Sequence, residues 1–315
     1  MKVAVFGAGL MGYALALVHA LGGHTVRMTD NDAATLARAP GLMQQALATL
    51  REGGEVDAAW TDARLAAAVT CCPTVADTLQ GAELVVEAIT ERPDAKRALY
   101  SEIDRLAPMH VIIASNTSGL DIFPLVPERR LARTLIAHWY TPPYLIDLCD
   151  VVGGERTDPG VIETVRKIVA DMGKVPLVMK KFIPGYIANR IQAAIGLEVH
   201  KLMDEGYASA RDIDTAVLHG LALRIPILGQ MAKMDFTGLL LTQQGLRNAG
   251  YKPPEPRGHS ETLDALVAAG RTGVMSGKGY FDWGGRTPDE LLRERDRKLL
   301  ALKRALRGIG HMEGT

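Results

Sequence analysis

Two polar residues twelve positions apart, His138 and Asp150, have the types and the spacing for acid–base chemistry. His138 ends one apolar run that predicts a strand, and Asp150 lies in the next such run. An imidazole can take the proton of a hydroxyl group near neutral pH, and a neighbouring carboxylate orients the ring and stabilises the imidazolium. The alternative is a strand-end histidine beside an unrelated surface aspartate.

A second chemistry belongs to three glycines near the start of the chain, Gly7, Gly9 and Gly12, which follow a short apolar run and precede a helical pattern. Their spacing predicts a tight turn at Gly7, close approach of a pyrophosphate to Gly9, and packing of the helix on the strand at Gly12. Leu10 and Met11 complete the loop, and the free N–H groups of the helix would bind phosphate. The pattern predicts a dinucleotide site; a glycine-rich turn that only packs is the alternative.

A carboxylate at Asp30 narrows the choice of dinucleotide. It follows the second apolar run, about 20 residues after the last glycine, where an acid accepts hydrogen bonds from the adenosine ribose. It would repel a 2′-phosphate, and no arginine stands beside Asn31 and Asp32 to hold one. The sequence therefore favours NAD over NADP, with the alternative that Asp30 or Asp32 only caps the next helix.

The elements that must position these residues are visible as eight short apolar runs. They are Val3–Phe6, Thr25–Met28, Val69–Cys72, Leu84–Ala88, Val111–Ala114, Leu135–Trp139, Leu148–Val152 and Val175–Met179. Helical patterns such as Asp94–Leu106 and Asp158–Met172 separate several of them. Continuous apolar strands alternating with helices predict an α/β fold, a Rossmann-type and largely parallel sheet covered on both faces.

The pattern changes near residue 183, after which it is helical. We predict helices at Gly185–Glu205, Asp212–Leu218 (capped by Ser209), Lys233–Leu246 and Pro288–Leu306, with a frayed end at Gly308–Thr315. The expected organisation is an NAD-binding Rossmann domain over residues 1–183 and an all-helical substrate and dimerisation domain over residues 184–315.

Composition excludes several classes of protein. Of the 315 residues 47% are hydrophobic, and 36 basic residues balance 36 acidic ones, so the chain has no net charge to attract nucleic acid or an anionic membrane. We expect neither a membrane span nor a cleaved signal peptide. The three cysteines (Cys71, Cys72 and Cys149) predict no disulfide framework and no metal site, which fits a cytoplasmic protein.

Several segments together match the order of motifs in one family. They are Gly7–Gly12, Val86–Glu91 with Lys96, Ser115–Leu120, the segment around His138, Pro184–Arg190, Asp235–Leu239 and Gly277–Phe281. Over roughly residues 1–283 the chain resembles the 3-hydroxyacyl-CoA dehydrogenase family, including its L-gulonate 3-dehydrogenase (lambda-crystallin) and carnitine dehydrogenase branches.

The resemblance implies catalytic roles for four residues. His138 would be the general acid and base, and Asp150 stands where the family usually has a glutamate, one methylene longer. Ser118 and Asn189 would donate hydrogen bonds to the substrate oxygen and stabilise charge there. From the residues alone, Ser118 could instead serve its turn, and Asn189 could satisfy buried groups at a helix start.

The resemblance also implies cofactor contacts. Asn116 would touch the nicotinamide ribose, Ser118 would lie near the nicotinamide, and Glu91 and Lys96 would line the cofactor cleft. The alternatives are a polar turn for Asn116 and exposed helix charges for Glu91 and Lys96.

Two segments bear on the substrate. The family's thioester branch holds CoA on the segment after the second strand, but here Ala33–Asp57 contains only Arg38 and Arg51 as basic residues. Arg224 instead resembles an arginine that faces the carboxylate in the free-acid branch, and a guanidinium matches a carboxylate bidentately. An exposed helix-end charge is the alternative for Arg224.

The function expected from these features is NAD-dependent oxidation of the 3-hydroxyl of a small L-3-hydroxy acid or its CoA thioester. The alternatives are a 3-hydroxyacyl-CoA dehydrogenase of fatty-acid β-oxidation and a non-catalytic NAD-binding structural protein. A lysine-dependent β-hydroxyacid dehydrogenase is disfavoured because Gly185 stands where its lysine would be. The apolar stretch Ile187–Leu202 predicts a homodimer through the second domain.

Overall fold

Eight strands form a single sheet in the first part of the chain. The computed structural model describes residues 1–248, 250 and 252–312. The strands are β1 (Lys2–Phe6), β2 (Thr25–Thr29), β3 (Val69–Cys71), β4 (Leu84–Glu87), β5 (Ile112–Ser115), β6 (Thr134–Trp139), β7 (Leu148–Gly153) and β8 (Val175–Met179). Each lies at one of the eight predicted apolar runs, so the strand predictions are confirmed.

The sheet order is β3-β2-β1-β4-β5-β6-β7-β8, and every neighbouring pair is parallel except β6 and β7. The fold is thus the predicted α/β type with a largely parallel sheet. Because parallel strands end at the same edge, the residues after β1, β2, β4, β5 and β6 lie along that edge. The reversed direction of β7 brings its first residues to this edge and pairs Asp150 with His138.

Six helices alternate with these strands. They are α1 (Gly12–Leu21), α2 (Ala33–Glu52), α3 (Asp62–Ala68), α4 (Val75–Leu79), α5 (Pro93–Leu106) and α6 (Pro159–Asp171). Several begin at capping residues that the sequence supplies: Asp32 accepts hydrogen bonds from two N–H groups of α2, and Asp158 accepts one from Gly160 in α6. These caps satisfy N–H groups that the first helical turn leaves free.

Both faces of the central strands are covered. All six residues of β6 and all four of β4 are buried. Successive side chains of a strand point to opposite faces, so complete burial of a strand requires packing on both sides of the sheet. Tyr100 and Ile103 of α5 belong to the resulting core, with Phe6 of β1. The predicted two-sided covering is confirmed for these central strands.

The chain divides into two compact units, Met1–Ile187 and Ala188–Thr315, whereas the sequence placed the domain boundary at residue 183. The helices of the second unit are α7 (Ala188–Asp204), α8 (Ala210–Ala216), α9 (Ile225–Leu228), α10 (Met231–Thr237), α11 (Leu239–Arg247), α12 (Glu261–Ala268) and α13 (Pro288–Ile309), with a π-helical turn at Val217–Leu221. Ser209 caps α8, as the sequence predicts. None of the described helices is long and apolar enough to cross a membrane.

Several helix bounds differ from the predicted ones, and α8 spans Ala210–Ala216 rather than Asp212–Leu218. α7 begins at Ala188 rather than at Gly185, because Gly185 and Tyr186 have φ angles of 80° and 49°, in the left-handed region that ends a right-handed helix. Gly238, with φ of 101°, divides the helix predicted over Lys233–Leu246 into α10 and α11. The predicted fraying from Gly308 is wrong for Gly308 and Ile309, which complete α13, and residues 313–315 of that segment lie outside the described residues.

Candidate active site

The glycine loop has the geometry of a phosphate cradle. Gly7 has φ of 96°, and a Cβ on it would lie 2.4 Å from the carbonyl oxygen of Ala88. A Cβ on Gly12 would lie 1.9 Å from the carbonyl oxygen of Gly7, so only glycine lets α1 start this close to the loop. Nothing lies within 4 Å of the Cβ position of Gly9, which leaves open space beside its backbone.

The start of α1 is also free of competing anions. The helix has no side-chain cap and no acidic residue in its first turn. Its N–H groups and the positive end of its dipole therefore suit a pyrophosphate. The loop residues Leu10 and Met11 are exposed and half-buried, respectively, as a surface that faces a ligand requires. These features fit the phosphates of a dinucleotide.

Asp30 lies beside this loop at the end of β2. Its Oδ2 accepts a hydrogen bond from the N–H of Ala8 at 2.7 Å, and its Oδ1 accepts one from Asp32 at 2.9 Å. Asp30 lines a cavity of about 590 Å³ together with Val75, Ile89 and Leu99. A carboxylate in a mostly apolar cavity fits the adenosine half of NAD. Asp32 instead caps α2 and lies outside the lining of this cavity.

His138 and Asp150 form a buried pair where β6 meets β7. His138 Nδ1 lies 3.1 Å from Asp150 Oδ2, and the side chains are 4% and 0% exposed. The two residues are directly opposite each other in the antiparallel register, so their side chains share one face of the sheet. The shorter aspartate therefore does reach the histidine ring.

Two tyrosines complete the surroundings of His138. The hydroxyl of Tyr140 donates a hydrogen bond of 2.7 Å to Asp150 Oδ2, and its ring packs edge-on against His138 with centroids 4.7 Å apart. The ring of Tyr186 lies 4.6 Å from that of His138, and its hydroxyl donates to the carbonyl oxygen of Thr117 at 2.5 Å. Burial raises the pKa of Tyr186, so this phenol remains a neutral donor.

Glu87 ends β4 with a fully buried carboxylate. Oε1 accepts from the N–H of Ile89 at 3.0 Å and from Lys96 Nζ at 2.7 Å, while Oε2 accepts from Tyr100 at 2.7 Å and from Ser115 at 2.6 Å. Burial, and then the charge of Glu87, raise the pKa of Tyr100 well above its usual value. Glu87 thus connects β4 by hydrogen bonds to two residues of α5 and to Ser115 at the end of β5.

Glu91 connects this buried cluster to Ser118. Its Oε1 accepts from Thr117 Oγ1 at 2.5 Å and from the Ser118 N–H at 2.8 Å, and Oε2 lies 3.1 Å from Lys96 Nζ. Burial acts to raise the pKa of Glu91, but the Thr117 hydrogen bond and the Lys96 ammonium outweigh it and leave the pKa lowered. Glu91 is therefore an ionised clamp on the loop that carries Ser118.

The structure connects three of the predicted cofactor residues, because Glu91 contacts both Ser118 and Lys96. Glu91 is half-exposed and Ser118 is exposed, whereas the side chain of Lys96 is only 1% exposed, with its ammonium between Glu87 and Glu91. The exposed helix charge considered for Lys96 is therefore wrong, because two carboxylates hold the ammonium inside. Asn116 accepts a hydrogen bond from the N–H of Trp139 at 2.9 Å and so links β5 to the end of β6. The contacts of these residues with a cofactor stay predictions.

Asn189 and Arg224 belong to the second compact unit. Asn189 is half-buried in the first turn of α7. Arg224 is exposed just after the π-helical turn, and its Nε and Nη2 donate to the carbonyl oxygen of Gly220 at 3.2 and 2.9 Å. Their convergence with Ser118 and His138 on one substrate stays a prediction.

The sequence reasoning missed Glu87, Thr117 and the hydroxyl of Tyr140. A glutamate at the end of an otherwise apolar strand was a signal for Glu87, because a buried charge needs partners. Tyr140 stands two residues after His138, and the period of two along an extended chain was the available signal that both face the same side.

Comparison with known families agrees with this geometry. Residues 2–182 match the NAD binding domain of 3-hydroxyacyl-CoA dehydrogenase, and residues 185–283 match the C-terminal domain of the same family. The chain belongs to the 3-hydroxyacyl-CoA dehydrogenase family. It is an NAD-dependent dehydrogenase that acts on a CH–OH group.

Two relatives and one solved structure among those similar to this chain span nearly its whole length. A 5-formyl-3-hydroxy-2-methylpyridine 4-carboxylate 5-dehydrogenase of Mesorhizobium japonicum is 31% identical, with 98% of each chain covered. An L-carnitine dehydrogenase of Nocardiopsis dassonvillei is 33% identical over 99% of this chain and 94% of its own. The crystal structure of a 5-formyl-3-hydroxy-2-methylpyridine 4-carboxylic acid 5-dehydrogenase, described as an NAD+-dependent dismutase, is 30% identical with a TM-score of 0.87 and 98% of each chain covered.

Proposed function

We propose that this enzyme oxidises the 3-hydroxyl of a small free L-3-hydroxy carboxylic acid, with His138 as the general base. The observation that carries the proposal is the 3.1 Å contact between His138 Nδ1 and the buried carboxylate of Asp150 at the edge of the sheet where the glycine loop also lies. A ring that donates from Nδ1 to a carboxylate has its other nitrogen, Nε2, free to accept a proton. Substrate oxidation needs such an acceptor.

In the proposed mechanism, His138 Nε2 takes the hydroxyl proton, and Asp150 stabilises the imidazolium that forms. Ser118 and Asn189 donate hydrogen bonds to the substrate oxygen, and Glu91 holds the backbone of Ser118 in place. Bound NAD supplies the acceptor for the hydride that leaves the carbinol carbon. In the reverse direction His138 returns its proton to the oxygen.

The difference in ion pairing between two arginines, Arg51 and Arg224, favours a free acid over a CoA thioester as the substrate. Arg51, one of two arginines on α2, pairs with Asp62 at 2.8 Å and is therefore already neutralised. Arg224 is exposed, and no carboxylate of the described residues lies within salt-bridge distance of its guanidinium. Two near-full-length relatives at 31% and 33% identity are named for a pyridine carboxylate and for L-carnitine, whereas a 3-hydroxyacyl-CoA dehydrogenase covered to a similar extent is 28% identical.

The test is a screen of NAD reduction with L-3-hydroxy acids beside their CoA esters, using wild type, Arg224→Met and Arg293→Met. Arg293 is the matched control because it is exposed and, like Arg224, donates to the carbonyl oxygen four residues earlier. We expect turnover of free acids, a rise in KM of about 10-fold or more in Arg224→Met, and no change in Arg293→Met. Turnover of CoA esters alone would instead favour the β-oxidation alternative.

We also propose that the enzyme is a homodimer through its second unit. Helices α7 to α11 contain no buried residue, and Ile191 and Ile195, four residues apart on α7, are 52% and 42% exposed. A second copy of the chain could bury the exposed apolar side chains of these helices and so remove them from water. Sedimentation at micromolar concentration should give twice the chain mass of 34.0 kDa, and a single-chain mass would contradict the proposal.

A further inference from the structure

The carboxylate of Asp150 is bonded in an asymmetric way. Both His138 Nδ1, at 3.1 Å, and the Tyr140 hydroxyl, at 2.7 Å, approach Oδ2. The other oxygen, Oδ1, is buried and has no hydrogen-bond partner among the described residues. The imidazole of His138 and the phenol of Tyr140 therefore both interact with the buried carboxylate of Asp150 through the same oxygen, Oδ2.

Such sharing has a direct consequence for the histidine. A buried carboxylate 3 Å from an imidazole favours the protonated ring, which cannot act as a base. A hydrogen bond from a neutral phenol stabilises the carboxylate and reduces the negative charge that the imidazole experiences. The hydrogen bond from Tyr140 is the shorter of the two, so we expect the phenol to contribute substantially to stabilising the negative charge of Asp150.

Tyr140 also contacts the histidine itself. Its ring lies edge-on to the His138 ring, and the tilted ring of Tyr186 lies against His138 as well. Two further titratable groups face the pair: Tyr186, whose pKa is raised by burial, and Cys149, whose pKa burial and then Asp150 raise well above its usual value. Tyr186 and Cys149 are neutral near pH 7, whereas the carboxylate of Glu91, whose charge also raises the pKa of Tyr186, is ionised.

We infer that Tyr140 is a positioning residue which, through Asp150, keeps His138 neutral and ready to accept the substrate proton. This inference rests on the proposed role of His138 as the base. It accounts for a dyad built on aspartate: the short side chain places one oxygen where the imidazole and the phenol both reach it.

The test is the titration of His138 by NMR of ¹³C-histidine-labelled protein, with the His138 signal assigned through its absence in His138→Asn. We expect Tyr140→Phe to raise the titration midpoint of His138 by about 0.5–1 pH unit, because the full charge of Asp150 then favours the imidazolium. The acidic limb of kcat/KM for NAD reduction should move in the same direction. A shift below about 0.3 pH unit would overturn the inference.

The matched control is Tyr100→Phe, which also removes a 2.7 Å bond from a buried phenol to a buried carboxylate but does not touch Asp150. It should leave the midpoint unchanged. In an Asp150→Glu background, whose longer carboxylate moves its oxygens away from the phenol, Tyr140→Phe should shift the midpoint by less than about 0.2 pH unit. An equal shift in both backgrounds would place the effect elsewhere and overturn the inference.

The titration separates the two proposals. A midpoint that moves as expected in an enzyme without activity on any 3-hydroxy acid leaves Tyr140 coupled to His138 while the proposed substrate fails. If Tyr140→Phe alone does not fold, Tyr140→Met, which also removes the hydroxyl, takes its place with the same expected shift, and a shift below about 0.3 pH unit there would overturn the inference.

Discussion

At the scale of single residues, one ammonium group, that of Lys96, stabilises two carboxylates. Lys96 Nζ lies 2.7 Å from Glu87 and 3.1 Å from Glu91, and Glu87 is wholly buried. Lys96 thus links Glu87, in the core of the sheet, to Glu91, which holds the loop of Ser118. Its stabilising effect follows from the high cost of leaving a buried charge without a partner.

Replacement of this lysine tests that link. We expect Lys96→Met to lower the free energy of unfolding by about 3–5 kcal/mol, because Glu87 would be left buried without its counter-ion. Lys167→Met is the control, since Lys167 pairs with Asp171 on the surface with both side chains more than 60% exposed. That change should cost less than about 0.5 kcal/mol in urea denaturation. Equal losses in the two variants would contradict the link.

At the scale of elements, α1 holds a histidine that opposes folding in acid. His19 is buried, and its Nδ1 lies 3.2 Å from that of His24. Burial, and then His24, lower the pKa of His19 to about 3. Between this value and the unfolded value of 6.5, the unfolded chain binds a proton that the folded chain does not. The free energy of unfolding therefore falls as the pH falls through this window.

We expect the free energy of unfolding to fall by about 1.6 kcal/mol between pH 6.5 and pH 5, because the slope rises over this range from half to nearly all of roughly 1.4 kcal/mol per pH unit. His19→Gln should remove this part of the pH dependence, whatever its effect on stability at pH 7. His110→Gln, at an exposed position, should retain it. Urea denaturation at several pH values measures the difference, and parallel slopes for His19→Gln and wild type would rule out the effect.

The elements also show how far a sequence can predict this fold. Apolar runs located all eight strands, because strands covered on both faces must be apolar throughout. The predicted start of α7 and the prediction of one continuous helix across Gly238 were wrong. Both features depend on left-handed backbone angles, which apolar periodicity does not report. The antiparallel direction of β7 depends on pairing between strands and could not be read from either strand alone.

The candidate site was predictable to the same degree. Strand ends and glycine spacing indicated His138, Asp30 and the glycine loop, which lie at the same edge of the sheet, while their roles stay predictions. The hydrogen bonds of Tyr140 and Glu87 depend on register and packing, which bring together residues from separate elements. Asn116 accepts a hydrogen bond from the Trp139 N–H, whereas its contact with the nicotinamide ribose stays a prediction.

At the scale of the whole molecule, two compact units divide the work in the proposed mechanism. The first contains the glycine loop, Asp30 and the His138–Asp150 pair, and the second contains Asn189 and Arg224. Family membership establishes an NAD-dependent dehydrogenase, while the base and the substrate are our proposals. A non-catalytic NAD-binding protein would have no need of a buried imidazole–carboxylate pair at the edge of the sheet.

The most direct test of the account is NAD reduction by His138→Ala, measured with a substrate found in the screen and compared with His110→Ala. We predict that kcat falls by at least about 100-fold in His138→Ala, while the Kd for NAD stays within about 2-fold of wild type. His110→Ala should keep full activity. Turnover of His138→Ala near the wild-type rate would contradict the assignment of His138 as the base.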